Sequence, residues 1–426
     1  MPIPDLPQPA HPALDSMLSR KFGKEVANYF AGSPLNRFGF LRGDSGFLSS
    51  ALRHPSTLIL PLRDLSPLIK DKTALEFVKY RDVEPIIGDA YQQPEDEMVG
   101  QYNSTKHIPQ MIFLGLDESV KDAFKYEHKG SSINGAPYFA LDVTPRDSVK
   151  DACEDLLKNL EQKGLSFAPG RAMDLVAGHA AIYAEARQLL DWNLRNPFCA
   201  QCGHPTLSIN GGFKRVCPPT DLADLPSSAQ VTTSQSADPN ITARPPCATR
   251  KGVSNISFPR TDPTIIVAIV NHANTHILLG RQKRWPQYWY STLAGFCEPA
   301  ESIEEATRRE AWEEAGVHIG RVVIHSTQPW PYPANLMIGA IGQSVPGDGE
   351  EIDLGNDPEL EDAKWFSFDE VKDALKTGTS ALGEDAGPGY KEGSLRLPPS
   401  TAIANQLMTA VINGFLDPQP GRSSNI

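Results

Sequence analysis

No apolar run in the 426-residue chain approaches the length of a bilayer crossing. The longest, Thr264 to Val270, is about a third of what a membrane helix needs, so it is expected to be a buried strand. Basic charge is not in excess either: 40 Lys and Arg stand against 52 Asp and Glu, a net charge of -12. That is the wrong sign for gripping a polyanion along an extended footprint. Broad nucleic-acid binding is disfavoured, while a local pocket for one phosphate compound is not excluded. Cysteine is sparse, six residues, too few for a disulfide framework in a chain of this size. The first ten residues carry neither a basic n-region nor an apolar h-region, so no secretory signal is expected and the cytoplasm is the expected compartment. Proline, by contrast, is plentiful at 37 residues, above the ordinary share of roughly 5 %, which implies long irregular connections.

At roughly 150 residues per domain, the length suggests two or three domains. Residues 1–35 show no periodicity and are expected to be a flexible lead-in. From 36 to 195 strand-like runs at 57–61, 111–115 and 138–142 alternate with helical patterns, an α/β domain closed by a connecting helix over 173–195. A cysteine-rich segment follows at 196–258. Within it 218–246 is crowded with Pro, Ser, Thr and Asp and is expected to be a disordered loop. A second α/β (α+β) pattern occupies 259–418, with a short tail over 419–426.

Four of the six cysteines fall in one stretch as Cys199-x2-Cys202-x14-Cys217-x29-Cys247. They supply four thiolates, enough for a tetrahedral structural zinc. The wide last gap holds the low-complexity loop, and lengthening a flexible loop costs only about 0.6 kcal/mol per doubling. Cys247 is the outlying ligand of the set. Cys153 and Cys297 lie outside the pattern and are expected to pack as small apolar residues.

The most informative stretch runs from Gly295 to Val317. Ser302 suits the N-cap of a helix that runs through Ala315, and Gly316 suits its left-handed end. Glu310, Glu313 and Glu314 then project from one side at spacings of three and four, where like charges repel. Such a cluster is either a solvated acidic face or a site for a hard divalent cation, Mg²⁺ or Mn²⁺.

At every defined position this stretch resembles the Nudix box, Gly-x5-Glu-x7-Arg-Glu-U-x-Glu-Glu-x-Gly-U with U aliphatic. Here those positions are Gly295, Glu301, Arg309, Glu310, Ala311, Glu313, Glu314, Gly316 and Val317. The resemblance implies a C-terminal Nudix fold, a mixed sheet sandwiched by helices, that hydrolyses a nucleoside diphosphate linked to another moiety. It implies Glu310, Glu313 and Glu314 as metal-binding carboxylates and the Ala294 carbonyl as an additional ligand. Arg309 would orient the cluster by ion pairing, and Glu301 would hold the loop.

Beyond the box, Thr327-Gln328-Pro329-Trp330-Pro331-Tyr332-Pro333-Ala334-Asn335 reads as a stiff extended segment presenting aromatic and polar side chains. Prolines and aromatics in such a run also suit a ligand of adaptor domains or a plain loop. The array is similar to the Ser-Gln-Pro-Trp-Pro-Phe-Pro-x-Ser signature of the NADH pyrophosphatase branch, with Thr327, Tyr332 and Asn335 as departures. That branch carries a four-cysteine zinc ribbon between an N-terminal α/β domain and the Nudix domain. The resemblance therefore implies zinc on Cys199, Cys202, Cys217 and Cys247, a homodimer, and cleavage of NADH or NAD⁺ to a nicotinamide mononucleotide and AMP. It further implies Gln328 to Asn335, Phe258, Phe296, Glu359 and Ala404 as substrate-binding residues, with Glu359 also the late metal ligand and its neighbours Glu361 and Asp362 the alternatives for that role. The general base is left open among the clustered glutamates and Glu359. NAD-capped RNA is the alternative substrate, and a non-catalytic nucleotide sensor is the reading without chemistry. Relatives often carry a peroxisomal Ser-Lys-Leu type ending, which Ser424-Asn425-Ile426 does not match.

Overall fold

The computed structural model describes residues 5–9, 16–22, 24–224, 243–356 and 359–416. They divide into two compact units. One comprises the described residues of Ser33–Arg260 together with Pro331–Ala334. The other comprises those of Met1–Gly32, Thr261–Trp330 and Asn335–Ile426.

The first unit is built on a mixed sheet. Its strands are β1 (Leu58–Arg63), β2 (Ser66–Asp71), β3 (Ala74–Leu75), β4 (Met111–Asp117), β5 (Phe124–His128), β6 (Ser131–Asp142) and β7 (Ser166–Phe167). They are ordered β3-β2-β1-β6-β4, with β5 on β6 and β7 on β2. β1 runs parallel to β6, whereas β4 is antiparallel to it. Phe47, Phe113, Phe139, Leu156 and Leu160 share the core beneath it. The connecting helix is Ala177–Arg195, starting later than the pattern from 173 suggested because residues 173–175 form a turn and a bend and Val176, at ψ 147, is not yet helical. Two short strands, β8 (Leu207–Ile209) and β9 (Lys214–Val216), then form a hairpin within the cysteine-rich segment.

The expected disordered loop is ordered at both ends. Arg244 and Asp221 form a buried ion pair, the Ser104 N–H donates to Asp221 at 2.9 Å, and the Arg244 guanidinium donates to the Pro205 carbonyl at 3.0 Å. Its middle, 225–242, lies outside the described residues.

The second unit holds β10 (Asp262–Val270), β11 (His276–Gln282), β12 (Leu293–Phe296), β13 (Ile319–Trp330), β14 (Asn335–Ser344) and β15 (Leu360–Ser367). The order is β13-β14-β10-β11-β15, with β12 on β10. β10 and β14 are parallel and the other pairs antiparallel. The continuous apolar run expected as a strand is the centre of this sheet, and its period of two divides the core. Ile265, Val267 and Ile269 pack with the helix Ile303–Ala315 through Ala306, Ala311 and Ala315. Ile266, Ala268 and Val270 face Ile403–Ile412 and Phe368–Thr377 through Leu407, Met408 and Val371. Both faces are covered, which is why the strand carries no polar alternation. Among the described residues no helix is long and apolar enough to cross a membrane.

The lead-in differs from expectation. Asn28, Tyr29 and Phe30, placed within a flexible segment by their lack of periodicity, are buried in the second unit. The tail over 419–426 lies outside the described residues.

Candidate functional site

The helix Ile303–Ala315 begins and ends where its own residues dictate. The Ser302 hydroxyl accepts the Glu305 N–H at 3.2 Å while Glu305 accepts the Ser302 N–H at 2.8 Å, a reciprocal cap that satisfies two first-turn donors. Gly316 sits at φ 72, where an L side chain is strained, and a Cβ there would lie 2.8 Å from the Asp353 backbone.

One guanidinium organises the carboxylates. Arg309 donates to both Glu301 oxygens at 2.7 and 3.0 Å, to Glu310 at 2.9 Å, to Glu313 at 2.8 Å and to the Phe296 carbonyl at 2.8 Å. These charge-assisted bonds raise the Arg309 pKa further. They also hold Glu301 below the usual carboxylate range. Glu301 in turn accepts the Glu298 N–H at 2.9 Å, so it ties the loop to the helix.

Glu310 has the opposite character. Burial pushes its carboxyl up, the neighbouring Glu313 and Glu359 add to that, and Arg309 only partly opposes it. Its carboxylate lies against the backbone of β12 where a Cβ on Gly295 would be 1.9 Å from Glu310 Cδ. Any side chain at 295 would displace it, which accounts physically for a glycine inside a strand. Glu314 is 4 % exposed.

Glu359 is fixed by β11: the Gln282 amide donates to it at 2.5 Å. Its rivals are engaged elsewhere. Glu361 pairs with Arg281 at 2.7 Å, and Asp362 pairs with Lys364 at 2.7 Å while accepting the Tyr290 hydroxyl at 2.5 Å. Of the three, Glu359 is the one that acts on Glu310. Ala294 precedes the glycine on β12, opposite Ile266 of β10. Glu301, Glu310 and Glu313 thus share one guanidinium, and the Glu310 carboxyl is raised by burial first and by Glu313 and Glu359 after it. A hard divalent cation fits that donor set.

The array after the box is not one extended segment. β13 ends at Trp330, Pro331–Ala334 form the turn, and Asn335 opens β14, with Trp330 opposite Asn335. Pro329 is tolerated because β13 is the edge strand. Gln328 is 1 % exposed, and its amide is fully used. It donates to the Tyr29 carbonyl at 3.0 Å and the Thr401 carbonyl at 2.8 Å and accepts the Ile403 N–H at 2.9 Å. Gln328 and Ala404 are therefore brought together at the start of the last helix. Asn335 donates to Thr264 Oγ1 at 2.8 Å, while its Oδ1 is buried without a hydrogen-bond partner among the described residues. Trp330 meets Phe30 edge-on at 6.0 Å.

The turn residues group with the first unit. There Arg187 and Arg171 lie over the Tyr332 ring at 4.7 and 5.5 Å, and the Tyr332 hydroxyl donates to the Arg171 carbonyl. The Tyr332–Pro333 peptide is cis, Pro333 is exposed and Ala334 buried. Phe258 also belongs to the first unit, with Lys214 Nζ 5.8 Å from its ring, whereas Phe296 in the second unit is 58 % exposed.

The four cysteines converge. Their sulfurs lie within 4.8 Å of one another, the one such group of three or more metal-binding side chains among the described residues; the glutamates form a looser set. Cys199 and Cys247 are 3.4 Å apart, Cys202 and Cys217 3.5 Å. Burial opposes ionisation of Cys247, but hydrogen bonds with Thr249, Cys199 and Cys202 together outweigh it and bring the thiol down to about 7. A four-cysteine set with three members buried and Cys202 half-buried suits zinc. Cys153 is buried in the first core with its thiol pushed up to about 11 by burial, and Cys297 packs against the second-unit core.

Two contributions escaped the sequence reading. The lead-in residues Asn28–Phe30 gave no periodic signal. Gln282, which holds Glu359, sits in a strand with nothing local to mark it.

Residues 260–383 match the model for the NUDIX domain, 56–192 that for the NADH pyrophosphatase-like rudimentary NUDIX domain, and 194–223 that for the NADH pyrophosphatase zinc ribbon domain. The chain is 32 % identical over 398 residues to the NAD-capped RNA hydrolase of Schizosaccharomyces pombe, covering 90 % of this chain and 92 % of that one. It is 32 % identical to the NAD-capped RNA hydrolase NPY1 of Saccharomyces cerevisiae, covering 94 % and 99 %. It is also 31 % identical to the mitochondrial NAD(P)H pyrophosphatase NUDT13 of Homo sapiens, covering 72 % and 78 %.

Proposed function

The chain belongs to the Nudix hydrolase family, in the group that carries the NADH pyrophosphatase zinc ribbon, and from that premise we propose that it hydrolyses the pyrophosphate bond of NADH and related NAD dinucleotides. The products are a nicotinamide mononucleotide and AMP. The observation that carries this reading is the Arg309-centred carboxylate cluster beneath Gly295.

Mg²⁺ or Mn²⁺ would be held by Glu310, Glu313 and Glu314 with Glu359 and the Ala294 carbonyl. When bound, such an ion neutralises the diphosphate and acidifies a water. The protein's own part is positional. Arg309 fixes the direction of two carboxylates and closes the box loop through Glu301. Whichever of the clustered glutamates and Glu359 is left free by the ion would be the group to take a proton from the attacking water. Gln328 holds the Thr401–Ala404 backbone that would line the pocket, with Trp330 and Asn335 on the adjoining strands and Phe296 as an exposed ring for stacking on a base.

A second substrate is favoured by the relatives' names: the same linkage at the 5′ end of NAD-capped RNA. Its chemistry at the pyrophosphate is identical.

The test is chromatographic product analysis after incubation with Mg²⁺ and NADH, NAD⁺, ADP-ribose or NAD-capped RNA. The expected outcome is AMP and reduced nicotinamide mononucleotide from NADH. Absence of cleavage of every NAD-containing substrate, with metal bound, overturns the reading.

A further inference from the structure

The described lead-in holds one short helix, Met17–Phe22, and beyond it three consecutive residues outside any helix or strand are buried: Asn28 at 1 %, Tyr29 at 0 % and Phe30 at 3 % exposure. They sit in the second unit and engage β13, the strand that carries Gln328 and Trp330. The Asn28 amide donates to Ser326 Oγ at 3.0 Å and to the Thr327 carbonyl at 2.9 Å. The next residue supplies the carbonyl that accepts from Gln328 at 3.0 Å. Phe30 closes on the Trp330 ring.

Phe30 also stands at φ 71, a left-handed conformation that is strained for a bulky residue and persists only where its surroundings enforce it. A turn from the Asn28 carbonyl to the Ala31 N–H at 3.0 Å, and Gly32 at φ 72 with Pro7 against it, enforce it here.

The consequence passes through Gln328. Its side chain is shared between the lead-in carbonyl of Tyr29, the Thr401 carbonyl and the Ile403 N–H. That N–H lies in the first turn of the last helix, where no intrahelical acceptor exists. Asn28 fixes β13 on one side of Gln328, Tyr29 supplies one of its three partners, and Phe30 fixes the residue two positions on. The carboxylate cluster has its own network, in which Arg309 binds Glu301, Glu310, Glu313 and the Phe296 carbonyl.

We propose that Asn28, Tyr29 and Phe30 form a strap of positioning residues that sets the substrate wall of the active site, Gln328 to Trp330 and Thr401 to Ala404, while the Arg309 network orients the carboxylates. The proposal rests on the dinucleotide reading only for which site the wall serves. The strap is part of the catalytic unit although some 230 residues of another unit separate it from the rest.

Two variants of the full chain test it. Asn28→Asp keeps the shape while removing both amide donors and placing an acceptor against the Thr327 carbonyl. Phe30→Leu keeps an apolar side chain and removes the ring contact. Amide hydrogen exchange at Ile403, read at single-residue level without substrate, is expected to accelerate at least tenfold in both variants, with the Ile303–Ala315 helix unchanged. With NADH, KM is expected to rise at least fivefold and kcat to stay within twofold. Unchanged exchange at Ile403, or equal acceleration in Ile303–Ala315, overturns the strap. If the wild type cleaves no NAD substrate, the functional reading fails while local acceleration at Ile403 still upholds the strap.

Discussion

Glu310 is the residue whose surroundings are least comfortable and most informative. It is packed under the strand at Gly295, shares one guanidinium with two other glutamates, and feels Glu313 and Glu359. The net effect is a carboxyl held above its usual range by burial first and by its acidic neighbours second. A group whose folded pKa lies above its unfolded value adds stability at pH below the unfolded pKa and loses it as pH rises through the folded one. At pH 7 to 8 the ionised Glu310 is therefore a net liability in metal-free protein. Glu310→Gln is expected to raise the Tm measured in EDTA at pH 7 to 8, with the gain shrinking to nothing toward pH 4, while dinucleotide turnover falls by orders of magnitude. Saturating Mg²⁺ should reverse the order of the two proteins, because binding stabilises only the intact site. Parallel Tm profiles for the two proteins from pH 4 to 8 would show that the cluster carries no uncompensated charge.

The elements differ in how far their own residues announce them. Ser302, Glu305 and Gly316 delimit the carboxylate helix because capping is a local interaction, complete within one turn at each end. β10 was legible because a strand covered on both faces needs apolar residues at every position. The array from Thr327 to Asn335 was legible as a set but not as a hairpin: its prolines suggested an extended run, and only the pairing of Trp330 with Asn335 turns it back. Asn28 was not legible at all, since its partners Ser326 and Thr327 lie 298 and 299 residues away and leave no periodic trace. The ribbon lies between these extremes. Cys199 and Cys202 mark a knuckle by spacing alone, whereas Cys247 meets them across a long insertion whose ends are joined by the Asp221–Arg244 pair. Cys247→Ser is thus expected to lower bound zinc, measured by plasma mass spectrometry, from about one per chain to near none. Cys153→Ser should leave it unchanged. Full zinc occupancy in Cys247→Ser would remove that residue from the ligand set.

At the scale of the whole molecule, charge decides between two kinds of substrate contact. A net charge of -12 repels a long polyanion, yet the relatives in two yeasts are named for NAD-capped RNA. The two facts are compatible if only the cap and its nearest phosphates are held. For single strands, log affinity falls with log salt by about 0.7 per neutralised phosphate. One or two contacts predict a slope of magnitude at most about 1.5 for kcat/KM on capped RNA between 50 and 200 mM salt. Lengthening the RNA beyond the first few nucleotides adds repulsion without adding contacts, so the rate should change by less than about twofold. A slope near 4, or a rate that climbs with length, would reveal a basic path that the net charge conceals. A shallow slope with free NADH cleaved comparably would mean that the pocket reads the dinucleotide and is indifferent to what it is attached to.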